Sequence, residues 1–206
     1  MSLPIVFVHG SNLGGRAAWP VQAAADFGRE THFLALPGYG EGEERIPTDF
    51  EADASAVVEA AGEGAHVVAH SYGALAAIRA AHLSPATVVS LVLFEPSAFS
   101  LVRGEPRVEH FIASFGTEQE IRSNERFRLL RPPWEAGLSP DIFADVATLA
   151  VTGHSSDAYD VVVDRIASLG GERAEIEGYG HDLPDAPQSV DLIRDFIERV
   201  EARISG

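Results

Sequence analysis

The sequence predicts an α/β domain in which about six mostly parallel strands form a sheet with helices on both faces. Three observations carry this. Short, almost uniformly apolar runs recur along the chain, as strands buried on both faces require. Most runs are followed by a segment with apolar residues at helical spacing, the alternation of a parallel sheet. The 206 residues fit one domain able to bury a full core, so a single domain spanning 1–206 is expected.

The elements follow in order. Pro4–Val8 is a β-branched apolar run that stops at His9-Gly10. Trp19–Gly28 has helical spacing and ends on a Gly, a usual stop. His32–Leu36 is a short strand closed by the turn Pro37-Gly38-Tyr39-Gly40. Asp49–Ala61 reads as a helix capped by Thr48 and ended by Gly62. Ala65–Ala69 is a strand, Tyr72–Leu83 an Ala-rich helix, and Thr87–Phe94 the most apolar strand. Ala147–Thr152 is a strand followed by helix Asp157–Leu169. Arg173–Glu177 is a weak strand, and Ala186–Ile204 a closing amphipathic helix.

The alternation breaks between Ser97 and Asp145. This stretch holds Phe99, Phe111, Phe115, Phe127, Trp134 and Phe143, nearly half of the chain's 11 Phe and 2 Trp. So long an insertion without a strand is unusual in a compact α/β domain. Residues 97–145 are therefore expected to form a helical cap over the sheet's C-terminal edge, where open α/β sheets bind ligands. Phe99, Phe111 and Trp134 are candidate substrate-binding residues.

Composition narrows the function. The formal net charge is −16, and every one of the 15 basic residues is Arg. So acidic a surface repels phosphate backbones and anionic lipid, which speaks against nucleic acid or a membrane as partner. Cysteine is absent, which removes disulfides, thiol nucleophiles and Cys-ligated metal sites. No metal-ligand cluster or phosphate loop is visible, and no cofactor is implied. Met1-Ser2-Leu3-Pro4 runs straight into the first strand without the pattern of a signal peptide. No apolar run approaches the ~20 residues of a membrane span. A cytoplasmic protein is expected, acting on a small molecule.

Val67-Val68-Ala69-His70-Ser71-Tyr72-Gly73-Ala74 places a Ser on the sharp bend between a strand and a helix. Small residues must flank this bend on either side because the backbone passes close to itself. The turn lifts the hydroxyl above the sheet edge at a helix N-terminus, which suits a nucleophile. Acyl transfer also needs two backbone N–H groups aimed at the tetrahedral oxyanion. Tyr72, just after the Ser, can supply one. Ser11, in the His9-Gly10-Ser11-Asn12 loop, can supply the other. Asn12 adds a side-chain donor or holds that loop. Gly178-Tyr179-Gly180-His181-Asp182 follows the last strand, and its two glycines can deliver His181 over the sheet edge as a general base.

These motifs, in this order, resemble the α/β-hydrolase family over nearly the whole chain. The resemblance rests on the His9-Gly10 loop, the Leu36-Pro37-Gly38-Tyr39-Gly40 turn, the Ser71 elbow and Gly180-His181. It implies a minimal α/β-hydrolase fold and a Ser–His–acid triad. The chain departs from the pattern at Ala69, where the elbow usually has Gly, and at Ala35, where many members have Asp. It also starts at what would be the family's third strand. The acid is open between two residues, with a Ser71–His181 dyad lacking an acid as the remaining alternative. The family's usual placement is the loop after the penultimate strand, where three residues past Gly153 stands Ser156, which cannot ionise, with Asp157 next. Glu95, in Leu93-Phe94-Glu95-Pro96, ends the strand after the elbow strand, where some members carry their acid. A carboxylate there has little structural reason to exist, which favours Glu95 over Asp157.

The expected activity is a cofactor-free serine hydrolase of small, partly apolar carboxylic esters. The scaffold also supports perhydrolysis, C–C bond hydrolysis and lyase chemistry. A hydrolase-like binding protein without turnover is the non-enzymatic alternative.

Overall fold

The computed structural model describes residues 2–125 and 127–206. Six strands, β1 (Ile5–Val8), β2 (Thr31–Leu34), β3 (Ala65–His70), β4 (Val88–Phe94), β5 (Ala147–Thr152) and β6 (Glu172–Glu175), form one sheet in the order β2-β1-β3-β4-β5-β6. Every neighbouring pair is parallel. The order reverses between β1 and β3. A crevice opens there at the strands' C-terminal ends, the usual ligand position of such sheets.

The core lies on both sides of the sheet. Val6, Val8, Val67, Ala69, Leu91, Leu93 and Ala150 face one layer, packed under α2 (Phe50–Ala61), α3 (Gly73–Leu83) and α7 (Asp157–Ser168). Ile5, Phe7, Val68, Val92, Phe94, Leu149 and Val151 face the other, under α8 (Gln188–Ser205). Adjacent residues of one strand thus serve opposite layers, the period of two that a pleated strand imposes. Burial of both sets explains why the strands read as continuous apolar runs.

The structure revises some expected boundaries. Asp49, not Thr48, caps α2, its carboxylate accepting from the Glu51 and Ala52 N–H groups. The helix expected over Trp19–Gly28 is only the short α1 (Pro20–Ala24), after which Ala25 is extended. Asp26 explains the stop: its side chain accepts from Gly28 N–H at 2.8 Å, a local bond that competes with the helix. The edge strand β6 ends at Glu175 rather than Glu177.

Between β4 and β5 lie α4 (Pro106–Ala113), α5 (Glu118–Ser123) and α6 (Ile142–Asp145), joined by irregular chain and single 3-10 turns. Arg126, within this stretch, falls outside the described residues. Phe99, Phe111, Phe115, Phe127 and Trp134 form a chain of ring contacts with centroids 5.2–6.0 Å apart. Among the described residues no helix is long and apolar enough to cross a membrane.

Candidate active site

The bend after β3 holds Ser71 at φ +53, a left-handed conformation costly for a residue with a side chain. Its neighbours impose that geometry. Ser71 N–H donates to the Phe94 carbonyl at 2.9 Å, and Ser97 N–H donates to the Ser71 carbonyl at 3.0 Å. Gly73 is required, since a Cβ there would lie 2.1 Å from the His9 carbonyl oxygen. Ala69, by contrast, fits fully buried with its methyl group in the core.

Three loops converge on this bend. His181 Nε2 lies 2.8 Å from Ser71 Oγ, and His181 Nδ1 lies 2.9 Å from Glu95 Oε2. The imidazole therefore bridges the hydroxyl and the carboxylate. Glu95 is fully buried, whereas the His181 side chain is about one-third exposed. The Glu95 backbone takes φ +40, and its N–H donates to the Val151 carbonyl at 2.8 Å.

Glu95 is held on all sides. Its Oε1 accepts from Gly153 N–H at 3.0 Å and Ser155 N–H at 3.2 Å. Its Oε2 accepts from the Ser155 hydroxyl as well as facing the imidazole. Burial alone would raise this carboxyl, but the bonds from His181, Ser155 and Gly153 outweigh it and hold the group below its ordinary value. Gly153 also allows the His181 loop to pass: a Cβ there would lie 1.9 Å from the Gly180 carbonyl oxygen.

Asp157 is not at the imidazole. It is exposed and opens α7, while Glu95 occupies the Nδ1 side. Ser156 sits at the cap position without a capping side-chain bond, and Ser155 is turned toward Glu95 instead.

Ser11 and Tyr72 flank Ser71 in the wall of a cavity of about 310 Å³. The Ser11 loop is fixed by the Tyr39 hydroxyl, which donates to the Ser11 carbonyl at 3.1 Å. It is also set by His9, whose Nε2 accepts from Leu36 N–H at 3.0 Å. Burial lowers His9 to about 4, so it stays neutral and can accept that bond. The Tyr72 hydroxyl donates to the Arg131 carbonyl at 2.7 Å, tying the elbow helix to the β4–β5 insertion.

Phe99, Phe111 and Trp134 all line this cavity, but Asn12 does not; it lines a second cavity with Ser71 and His181. Sequence reasoning missed Tyr159, whose ring lies 4.8 Å from that of His181, and Ser97, whose hydroxyl is 3.5 Å from Ser71 Oγ. It also missed Ser155. The local signal for Ser155 was its place two residues past Gly153, in the loop from which the family usually draws its acid. His70, next to the nucleophile in sequence, holds the base's backbone: its Nε2–H donates to the His181 carbonyl at 2.8 Å. Among the described residues no cluster could hold a metal ion.

A sheet of this order, with a left-handed Ser at the end of β3 bridged by His181 to a buried carboxylate, defines a hydrolase-like α/β architecture. The sequence matches the alpha/beta hydrolase family over residues 5–203, and the chain belongs to that family. The comparison with curated proteins gave no match. Solved structures share the fold at low identity. A thermophilic esterase from Thermogutta terrifontis, with malate bound, is 19% identical with a TM-score of 0.67, covering 97% of this chain and 91% of that one. Tomato methylketone synthase I, a variant complexed with beta-ketoheptanoate, is 16% identical with a TM-score of 0.71, covering 97% and 98%. MGS-MChE2, an alpha/beta hydrolase enzyme from the metagenome of lagoon sediments at Mar Chica, Morocco, is 15% identical with a TM-score of 0.71, covering 98% and 93%.

Proposed function

We propose that the chain is a serine hydrolase of small carboxylic esters with an apolar acyl part. The observation that carries this is the unbroken relay from Ser71 Oγ through both His181 nitrogens to Glu95, with separations of 2.8 and 2.9 Å. Ser71 attacks the acyl carbon while its proton passes to His181 Nε2. Glu95 holds the imidazole in the Nδ1–H tautomer and stabilises the cation that forms. The Ser11 and Tyr72 N–H groups hold the oxyanion. Collapse breaks the carbon–oxygen bond to the alcohol, which leaves with the proton from His181. Water then attacks the acyl-enzyme by the same route and frees Ser71.

Residues 97–145 act as the cap, and their aromatic rings, with Phe99, Phe111 and Trp134 among them, receive the acyl part. A cavity of about 310 Å³ sets its size at a short chain or a single ring, at the lower end of ordinary ligand pockets. No step needs a cofactor.

The test is labelling with a fluorophosphonate, which reports an activated Ser directly. The parent protein should label and Ser71→Ala should not, with esterase activity falling by on the order of 10³-fold or more. A parent that does not label but binds esters would be a binding protein rather than an enzyme.

A further inference from the structure

Ser11, Ser71 and His181 also line a second cavity, of about 280 Å³, which shares no other wall residue with the aromatic one. We propose that this second cavity receives the alcohol part of the ester and selects a small polyol, a leaving group bearing several hydroxyl donors. The proposal rests on the hydrolase reading and names the substrate class for that same site.

An ester has two arms at the attacked carbon, and the reacting pair faces two cavities. The arm that leaves must keep its oxygen beside the imidazole that protonates it. The second cavity meets this need, because Asp182, Pro184 and Asp185, which directly follow His181, form part of its wall. The aromatic cavity is built mainly from the β4–β5 insertion and suits the apolar arm.

Three groups of the second wall, His70 Nδ1 and the carboxylates of Asp182 and Asp185, accept without donating, while Ser11 and Asn12 beside them can do both. His70 Nε2–H donates to the His181 carbonyl at 2.8 Å, so Nδ1 carries the lone pair in the neutral ring. Burial and the neighbouring His181 keep the ring neutral, lowering it to about 3. Its Nδ1 has no hydrogen-bond partner among the described residues, and the ring lines the cavity. The exposed carboxylates of Asp182 and Asp185 accept only, and neither side chain has a partner among the described residues. Leu13, Ala17 and Pro184 give the same wall apolar surface for carbon atoms. Hydroxyl donors on a short carbon chain complement both features. An anionic leaving group meets two like charges.

The experiment compares propyl, 2,3-dihydroxypropyl and 3-aminopropyl esters of one acid, phenylacetic acid, by kcat/KM. The dihydroxypropyl ester should exceed the propyl ester by roughly tenfold, because a site that hydrogen-bonds hydroxyls rejects the analogue lacking them. That ratio should fall toward one in Asp185→Ala and in Asp182→Ala, both exposed positions where folding can be checked by circular dichroism. Fluorophosphonate labelling of Ser71 with no preference for the dihydroxypropyl ester overturns the polyol proposal alone. A larger rate for the aminopropyl ester overturns it in favour of a cationic alcohol. Absence of both labelling and turnover overturns the hydrolase reading, and this proposal with it.

Discussion

The Ser155 hydroxyl and the His181 imidazole share one acceptor, Glu95 Oε2. The residue that orients the base is thus itself oriented from the loop after β5. Ser155 is exposed and its loss leaves the core intact. Ser155→Ala should lower kcat roughly five- to tenfold with KM little changed, the kinetic equivalent of about 1 kcal/mol for one lost bond. Ser155→Thr, which keeps the hydroxyl, should recover most of the rate. A fall in kcat with a rise in KM, unrescued by Thr, would point to general loosening of the loop.

Glu95→Gln should lower kcat by roughly 10²–10⁴, through the wrong imidazole tautomer. The amide oxygen can keep the bonds from Gly153 and Ser155 N–H, which leaves its NH2 facing His181 Nδ1 and the Ser155 hydroxyl, where the carboxylate now accepts. Asp157→Asn, at the exposed start of α7, should cost less than roughly tenfold. Steady-state kinetics of the two variants on one ester decides between the carboxylates.

Asp53 offers a test of stability against pH. Burial, reinforced by the Asp49 carboxylate, raises Asp53 from 3.8 to about 6. A carboxyl whose folded value is raised binds its proton more tightly in the fold. Its favourable contribution is therefore full below pH 3.8 and is lost as pH rises through about 6. Asp53→Asn should raise Tm at pH 8, by the equivalent of about 2 kcal/mol, with the gain fading below pH 4. An equal gain at both pH values would trace the effect to packing.

Gly153→Ala should destabilise the protein by on the order of 2 kcal/mol or more, since the clash is with backbone. It should also cut activity, because the displaced strand of chain carries His181. Urea unfolding together with kcat measures both. A fully active, equally stable variant would mean that the Gly180 loop can yield.

Much of this was legible because it lies in short-range pattern. The strands announce themselves as apolar runs, and Ser71 as a Ser between Ala69 and Gly73 at a strand–helix boundary. Glu95 stood out as a carboxylate closing a buried strand. What was not legible depends on chain far away in sequence. Asp26 ends α1 through a side-chain bond that periodicity does not register. Ser155 resembles any loop Ser until Glu95, 60 residues earlier, is placed beside it. Tyr159 reads as one more apolar position of an amphipathic helix, although its ring lies against His181. Asn12, read as a side-chain donor or a holder of its loop, lines the second cavity together with Ser71 and His181.

The contact between Gly153 and Gly180 has a consequence for how this chain can change. With no room for even a methyl group at Gly153, whose Cβ would lie 1.9 Å from the Gly180 carbonyl oxygen, and with Gly180 at φ +52, a conformation that favours glycine, the β5 loop cannot acquire a side chain there unless the His181 loop moves. A tolerated alteration in one calls for a matching alteration in the other. The two segments therefore form a single heritable unit, although more than two dozen residues separate them in sequence. Variation in this neighbourhood should arrive in pairs.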